Sequence, residues 1–137
     1  MAAQRTVLWL TAAQADVARI QKDDVAIAKK ALQVAKDLEA GSITGVKLKD
    51  APRTGDLSDC FKIYFGSGSP PSHRFVYREV STAEGTTLEV VEVVAVEARQ
   101  DSYVYLLASS RLKRLPEETK RAFSVVHQRV IARRFEK

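Results

Sequence analysis

Residues 60–65 read CFKIYF, and their alternation decides the fold. Phe61, Ile63 and Phe65 point one way while Cys60, Lys62 and Tyr64 point the other, the period of two expected of a half-buried strand. The same period returns after the turn-rich stretch Gly66–Ser72 (GSGSPPS) in His73–Val80 (HRFVYREV). A turn at Ala83–Gly85 leads into Thr87–Val96 (TLEVVEVVAV), whose valines mark a central strand. Three strands joined by short turns predict a meander. Glu89 and Glu92 are three apart, so regular pairing places them on opposite faces; a β-bulge, or a place near the sheet margin, is expected for one of them.

Upstream, the hydrophobic period lengthens. Arg5–Thr11 (RTVLWLT) predicts a short strand, and two helices follow it. Val17 and Ile20 form the inner edge of the first. In the second, Ala28, Ala31, Leu32, Ala35 and Leu38 form an i, i+3, i+4, i+7 stripe, with Asp23 or Asp24 as N-cap and Gly41 at the C-terminal cap. Residues 41–57 (GSITGVKLKDAPRTGDL) read as a loop. Downstream, a helix from about Ser102 to Arg114 turns Val104, Leu107, Ala108 and Leu112 inward. After Pro116, the run EETKRAFSVVHQRVIARR carries Phe123, Val126 and Val130 on one side. The order predicts an α+β fold: an antiparallel-dominated β-sheet packed against an N-terminal helix pair, with C-terminal helices.

The chain has 137 residues, 45% hydrophobic and 28% charged, which fits one ordinary folded domain. No apolar run approaches the roughly 20 residues of a membrane span, and the first residues turn polar too early for a secretion signal. A single cysteine excludes an internal disulfide, and with only His73 and His127 beside it no metal-ligand spacing exists. A cytoplasmic protein without membrane, metal or cofactor is expected. The first 112 residues balance 14 Lys/Arg against 14 Asp/Glu, whereas residues 113–137 hold eight cations and three anions, the whole of the net charge of +5. Such a tail fits a polyanion, an acidic protein partner or a solvated helix face.

Neither a Gly-rich phosphate loop nor a Ser-His-Asp arrangement is present. Cys60 reads as a half-buried strand cysteine and His73 as a surface residue beside the Pro-rich loop. What remains is cations on strands. Lys62 shares a face with Tyr64, Arg74 with Arg78, and Arg99 closes the last strand on the parity of Glu97. Arginine and lysine rising from a sheet beside tyrosines can clamp a phosphate and stabilise charge on it. The plain alternative is an antiparallel sheet with one solvated face.

Four segments in order, GVKLKD (45–50), GDLSDCFKIYF (55–65), HRFVYREV (73–80) and EVVEVVAVEARQDSYVYLLASSRL (89–112), carry a family likeness. Over about residues 45–112, with the helix pair fitting upstream, the chain resembles the RelE/ParE superfamily of toxin–antitoxin toxins. The resemblance implies a RelE-like, microbial-ribonuclease-like toxin domain over residues 1–115, with residues 116–137 as a basic helical extension of the same domain. For RelE-like members it implies a metal-independent mRNA interferase. A ribose 2′-hydroxyl attacks the adjacent phosphate on the ribosome, leaving a 2′,3′-cyclic phosphate and a 5′-hydroxyl. The implied partners are mRNA, ribosomal RNA and a cognate antitoxin that neutralises the toxin.

Carried over residue by residue, the resemblance assigns Lys62 and Arg74 to the phosphate and Arg99 to the phosphate or the leaving-group proton. It makes Tyr105 the base, its phenol lowered from ~10 by those cations. Lys47, Lys49 and Arg53 in the loop, and Tyr64 on the strand, are the candidate RNA contacts. Plain readings stand beside these: Tyr105 packing with Ala108 and Leu112, Arg74 paired with Glu92 or Glu97, Lys62 as solvated edge, and loop cations serving solubility. Two departures from the family pattern matter. Tyr64 stands where ribosome-dependent members carry a second lysine, and Glu97-Ala98 where a Gly-Lys pair is common. The site is therefore expected to be less cationic than in a typical member. A ParE-like, non-enzymatic gyrase inhibitor, or a degenerate member binding RNA or protein through its basic tail, are the alternatives.

Overall fold

A computed structural model describes residues 6–51, 54–81, 89–98 and 103–135. In chain order the elements are β1 (Thr6–Trp9), α1 (Thr11–Asp23), α2 (Val25–Glu39), β2 (Val46–Lys47), β3 (Asp50–Ala51) and β4 (Gly55–Asp56). The meander strands β5 (Cys60–Phe65), β6 (His73–Ser81) and β7 (Glu89–Ala98) come next, then α3 (Tyr103–Arg111) and α4 (Glu117–Phe135). The main sheet has the order β1-β7-β6-β5-β2, and β3 pairs with β4 separately. β1 runs parallel to β7, whereas β2, β5, β6 and β7 pair antiparallel. The α+β expectation holds, and the valine-rich β7 is interior. Residues 41–57, read as loop, hold three two-residue strands, too short for periodicity to reveal.

The alternation on β5 fixes the layers. Phe65, Phe75, Tyr77 and Val96 face a core built with Ala13, Val17 and Ile20 of α1 and the buried stripe of α2, with Phe61 and Ile63 packed against it. Phe61 stacks on Tyr77 at 5.3 Å between ring centroids, and Trp9 meets Phe75 edge-on at 5.9 Å. On the other face Cys60 and Val76 pack with Tyr103, Val104, Leu106, Leu107 and Ala108 of α3 and with Phe123 of α4. The sheet is thus a middle layer.

Asp24 alone separates α1 from α2, donating its N–H to Ile20 O at 2.7 Å and capping α2 by accepting from Ile27 N at 3.2 Å. Gly41 ends α2 with φ of 73°, as a C-terminal cap requires. The buried stripe of α2 is Ile27, Ala28, Ala31, Val34, Ala35 and Leu38. Leu32, expected inside, is 48% exposed. The stripe centres on Ala31, and the next residue is rotated about 100° away from it.

The expected β-bulge is present, but beyond the glutamate pair. Val76 pairs with Ala95 and Tyr77 with Val93, leaving Val94 as the extra residue. Glu89 and Glu92 keep regular backbone pairing, opposite Ser81 and Arg78. The bulge reverses the parity of the strand residues beyond it. It turns Glu97, opposite Arg74, onto the α3 face, where an unbroken strand would send it into the α1/α2 core.

β1 ends at Trp9, opposite Val93, so the β7 edge beyond it needs another partner. Asp16 of α1 supplies one. Its Oδ2 accepts from the Val96 amide at 3.0 Å and from Arg111 Nη1 at 2.6 Å, and its Oδ1 accepts from Arg111 Nη2 at 2.8 Å. One buried carboxylate thus ties α1, β7 and α3 together.

Gly55 in β4 has φ of 79°, and a Cβ there would overlap the Arg114 carbonyl. Gly55→Ala is expected to destabilise the fold by about 2 kcal/mol, from left-handed backbone strain plus displacement of the α3 terminus. Urea unfolding checks this, and a loss below about 0.5 kcal/mol would contradict it.

Candidate functional site

Strand register assembles the site. Tyr64 lies opposite Arg74, Arg74 opposite Glu97, and Lys62 opposite Val76, all on the α3 face. The α3 core covers Cys60 and Val76, leaving Lys62 half-buried at its margin and Tyr64 47% exposed beyond it. Tyr105, in the first turn of α3, reaches the same margin. Lys62 Nζ lies 5.1 Å from the Tyr64 ring centroid and 5.8 Å from that of Tyr105. The Arg74 guanidinium lies 3.8 Å from the Tyr64 centroid, a close cation–π contact. Two cations and two phenols therefore occupy one spot where the helix cover ends.

The two phenols are unlike each other. Tyr64 is held below its usual range, first by a hydrogen bond from Lys62, then by the Lys62 charge, a hydrogen bond from Tyr105 and the Arg74 charge, with desolvation opposing. Tyr105 is pushed up to about 12, first by burial and then by the Tyr64 charge and hydrogen bond. The expectation that the cations lower Tyr105 is thereby corrected. Its half-buried place on α3 outweighs them, and the lowered phenol is Tyr64.

Arg74 is only 7% exposed, and its Nη1 donates to Pro71 O at 2.7 Å and His73 O at 3.0 Å. Glu97 is met from α1, with Arg19 Nη2 at 2.8 Å from Oε2. That cation offsets the charge by which Glu97 departs from the family pattern. Lys47 pairs with Phe61 and so lies on the α1/α2 face, away from Lys62, whereas Val46 takes the position beside Lys62. Lys49 is exposed in the connection between β2 and β3. Arg53 and Arg99 lie outside the described residues.

Two residues with potential chemistry read as structural. Cys60 is fully buried, and desolvation pushes its thiol up to about 12. It is expected to resist Ellman's reagent at pH 8 in the folded protein and to react once urea unfolds the chain; fast labelling of the native state would contradict this. His73, expected at the surface, is half-buried against Phe65 at 5.5 Å, and its Nδ1 is 2.7 Å from Ser72 Oγ. Burial lowers its pKa. The sequence reading missed Asp16, Arg19 and Arg111. The signal was an acid at Asp16, three residues after Ala13 and four before Ile20, on the inner edge of an apolar helix face.

Among solved structures, a YoeB/ParE toxin from Agrobacterium tumefaciens superposes with a TM-score of 0.51 at 18% identity, covering 69% of this chain and 99% of that one. The fold is that of a RelE/ParE-type toxin. No family model and no curated protein sequence matches the chain. Within this toxin fold the four-residue cluster lies on the meander and α3, the segments that carry the family likeness in sequence. No helix among the described residues is long and apolar enough to cross a membrane.

Proposed function

We infer that the chain is the toxin of a toxin–antitoxin pair and a metal-independent endoribonuclease acting on ribosome-bound mRNA. The observation that carries this reading is the convergence of Lys62, Arg74, Tyr64 and Tyr105 at the open margin of the sheet in a RelE/ParE-type fold. Transesterification by a 2′-hydroxyl needs a base, a cation at the developing phosphorane and an acid at the leaving oxygen, and none of these need be a metal. Lys62 supplies the cation facing the substrate. Arg99, one residue past β7, is assigned to the phosphate as well. Lys47, Lys49 and Arg53 are assigned to RNA backbone outside the reacting centre.

The antitoxin is assigned to the groove of about 480 Å³ between α3 and α4, lined by Lys113, Lys120, Phe123 and His127 among others. Its cations suit an acidic segment. The extension 116–137 belongs to the toxin domain on this reading, since Phe123 stacks on Tyr103 at 6.2 Å and His127 Nδ1 lies 2.7 Å from Tyr103 Oη.

Primer extension on a defined message, with EDTA present and with or without ribosomes, tests the function. New 5′ ends that require ribosomes are expected. Intact RNA in every lane together with blocked gyrase supercoiling would replace this reading by the ParE-like one. Lys113→Glu with Lys120→Glu is expected to weaken antitoxin binding at least tenfold at low salt, read by calorimetry. Unchanged affinity would remove the antitoxin from this groove.

A further inference from the structure

We propose that Tyr64 takes the proton of the attacking 2′-hydroxyl and Tyr105 delivers one to the departing 5′-oxygen, the two neighbouring phenols forming one acid–base pair. The inference rests on the nuclease reading and assigns its proton transfers. Tyr64 is the exposed member, its ring lying flat on a guanidinium that is itself fixed to two backbone carbonyls. Tyr105 is the sheltered member, packed against the α3 core. Lys62 Nζ lies 5.1 Å from the Tyr64 ring centroid and 5.8 Å from that of Tyr105, so a phosphate drawn to it meets both phenols.

Among the described residues, the groups facing Tyr64 are Lys62 of its own strand, Arg74 of β6 and Tyr105 of α3, with Glu97 of β7 opposite Arg74 and met by Arg19. The cations and the Tyr105 hydrogen bond favour the Tyr64 phenolate, whereas burial and that same phenolate keep Tyr105 protonated. Two like groups whose surroundings push them apart divide base and acid roles between them.

The scissile phosphodiester binds at Lys62 beside the two phenols. The 2′-oxygen attacks phosphorus as its proton passes to the Tyr64 oxygen, and the O2′–P bond forms. The P–O5′ bond breaks, and its electron pair leaves on O5′, which takes the Tyr105 hydroxyl proton. When the products depart, the proton on Tyr64 returns to Tyr105. No proton is consumed. Arg74 acts through Tyr64 and is a positioning residue.

The test compares wild type, Tyr64→Phe and Tyr105→Phe in single-turnover cleavage of ribosome-bound message. One substrate carries the ordinary 5′-oxygen and the other a bridging 5′-sulfur, a leaving group that needs no proton. Both variants are expected to cleave the oxygen substrate at least about 100-fold more slowly. On the sulfur substrate Tyr105→Phe is expected to recover to within about threefold of wild type while Tyr64→Phe stays slow. Rescue of Tyr64→Phe instead, or of neither variant, would overturn the proposal.

Wild-type cleavage rises with pH up to the ionisation of Tyr64, which lies below 10. Arg74→Gln is expected to move the rising limb upward; an unmoved limb would remove Arg74 from this role. Urea midpoints and the phenolate absorbance near 295 nm separate a misfolded variant from an inactive one. The most acidic tyrosine should vanish from that titration in Tyr64→Phe and persist in Tyr105→Phe, and the reverse would overturn the pair. A wild type that cuts neither substrate would remove the nuclease reading itself, whereas cleavage retained in Tyr64→Phe would remove the pair alone.

Discussion

Replacing Asp16 by alanine is expected to cost about 3–5 kcal/mol of folding stability, a large part of the ~5–15 kcal/mol available to a domain. The carboxylate is 1% exposed and takes both forks of the Arg111 guanidinium as well as the Val96 amide. Alanine would remove the two-pronged carboxylate partner of Arg111 and the acceptor of a strand-edge N–H at the seam of α1, β7 and α3. Such losses exceed the net value of the pair because the remaining groups stay desolvated. Asp16→Ala combined with Arg111→Met should recover part of the loss, since it removes a half-buried charge whose carboxylate is gone. Urea midpoints of the three variants check this. A single-variant loss below about 1 kcal/mol would mean that the seam closes without its carboxylate.

Lys62→Ala is expected to lower cleavage about 10²–10³-fold with an unchanged urea midpoint, the scale of losing one preorganised donor to transition-state charge. Its Nζ lies 5.1 Å and 5.8 Å from the two phenol ring centroids, whereas Arg74 is held by the Pro71 and His73 carbonyls beneath Tyr64. The loss should fall in kcat rather than KM, because the charge Lys62 meets develops only as the phosphorane forms. A second effect arises from its hydrogen bond to Tyr64, the first cause of that phenol's lowered pKa. Without Lys62 the rising limb of the pH–rate profile should move to higher pH. A loss below about fivefold with an unmoved limb would make Lys62 a solvated edge residue.

The features legible in the sequence are those that repeat. Alternation in CFKIYF and HRFVYREV and the valines of TLEVVEVVAV display the meander because one face of each strand meets the helix-pair core, and the α2 stripe is legible for the same reason. The bulge at Val94 is a single residue without a periodic signature, yet it decides which face Glu97 occupies. β1 carried no signal of its partner, because parallel pairing with β7 is made through the packing of α1 and α2 rather than by a local turn. At the site, residue types were readable but their division of labour was not. Lys62, Tyr64, Arg74 and Tyr105 were all candidates from the resemblance. Only burial distinguishes the exposed Tyr64 from the sheltered Tyr105, and only the bonds to Pro71 and His73 hold Arg74 beneath a ring.

The measurement that reaches the central claim most directly uses a ribosome-bound message carrying one 2′-deoxynucleotide at a mapped cleavage position, in EDTA. Metal-independent attack by the 2′-hydroxyl predicts that cleavage disappears at that position and persists at unmodified ones, with 2′,3′-cyclic phosphate on the upstream fragments. Cleavage retained at the deoxy position, or lost everywhere once EDTA is added, would contradict it.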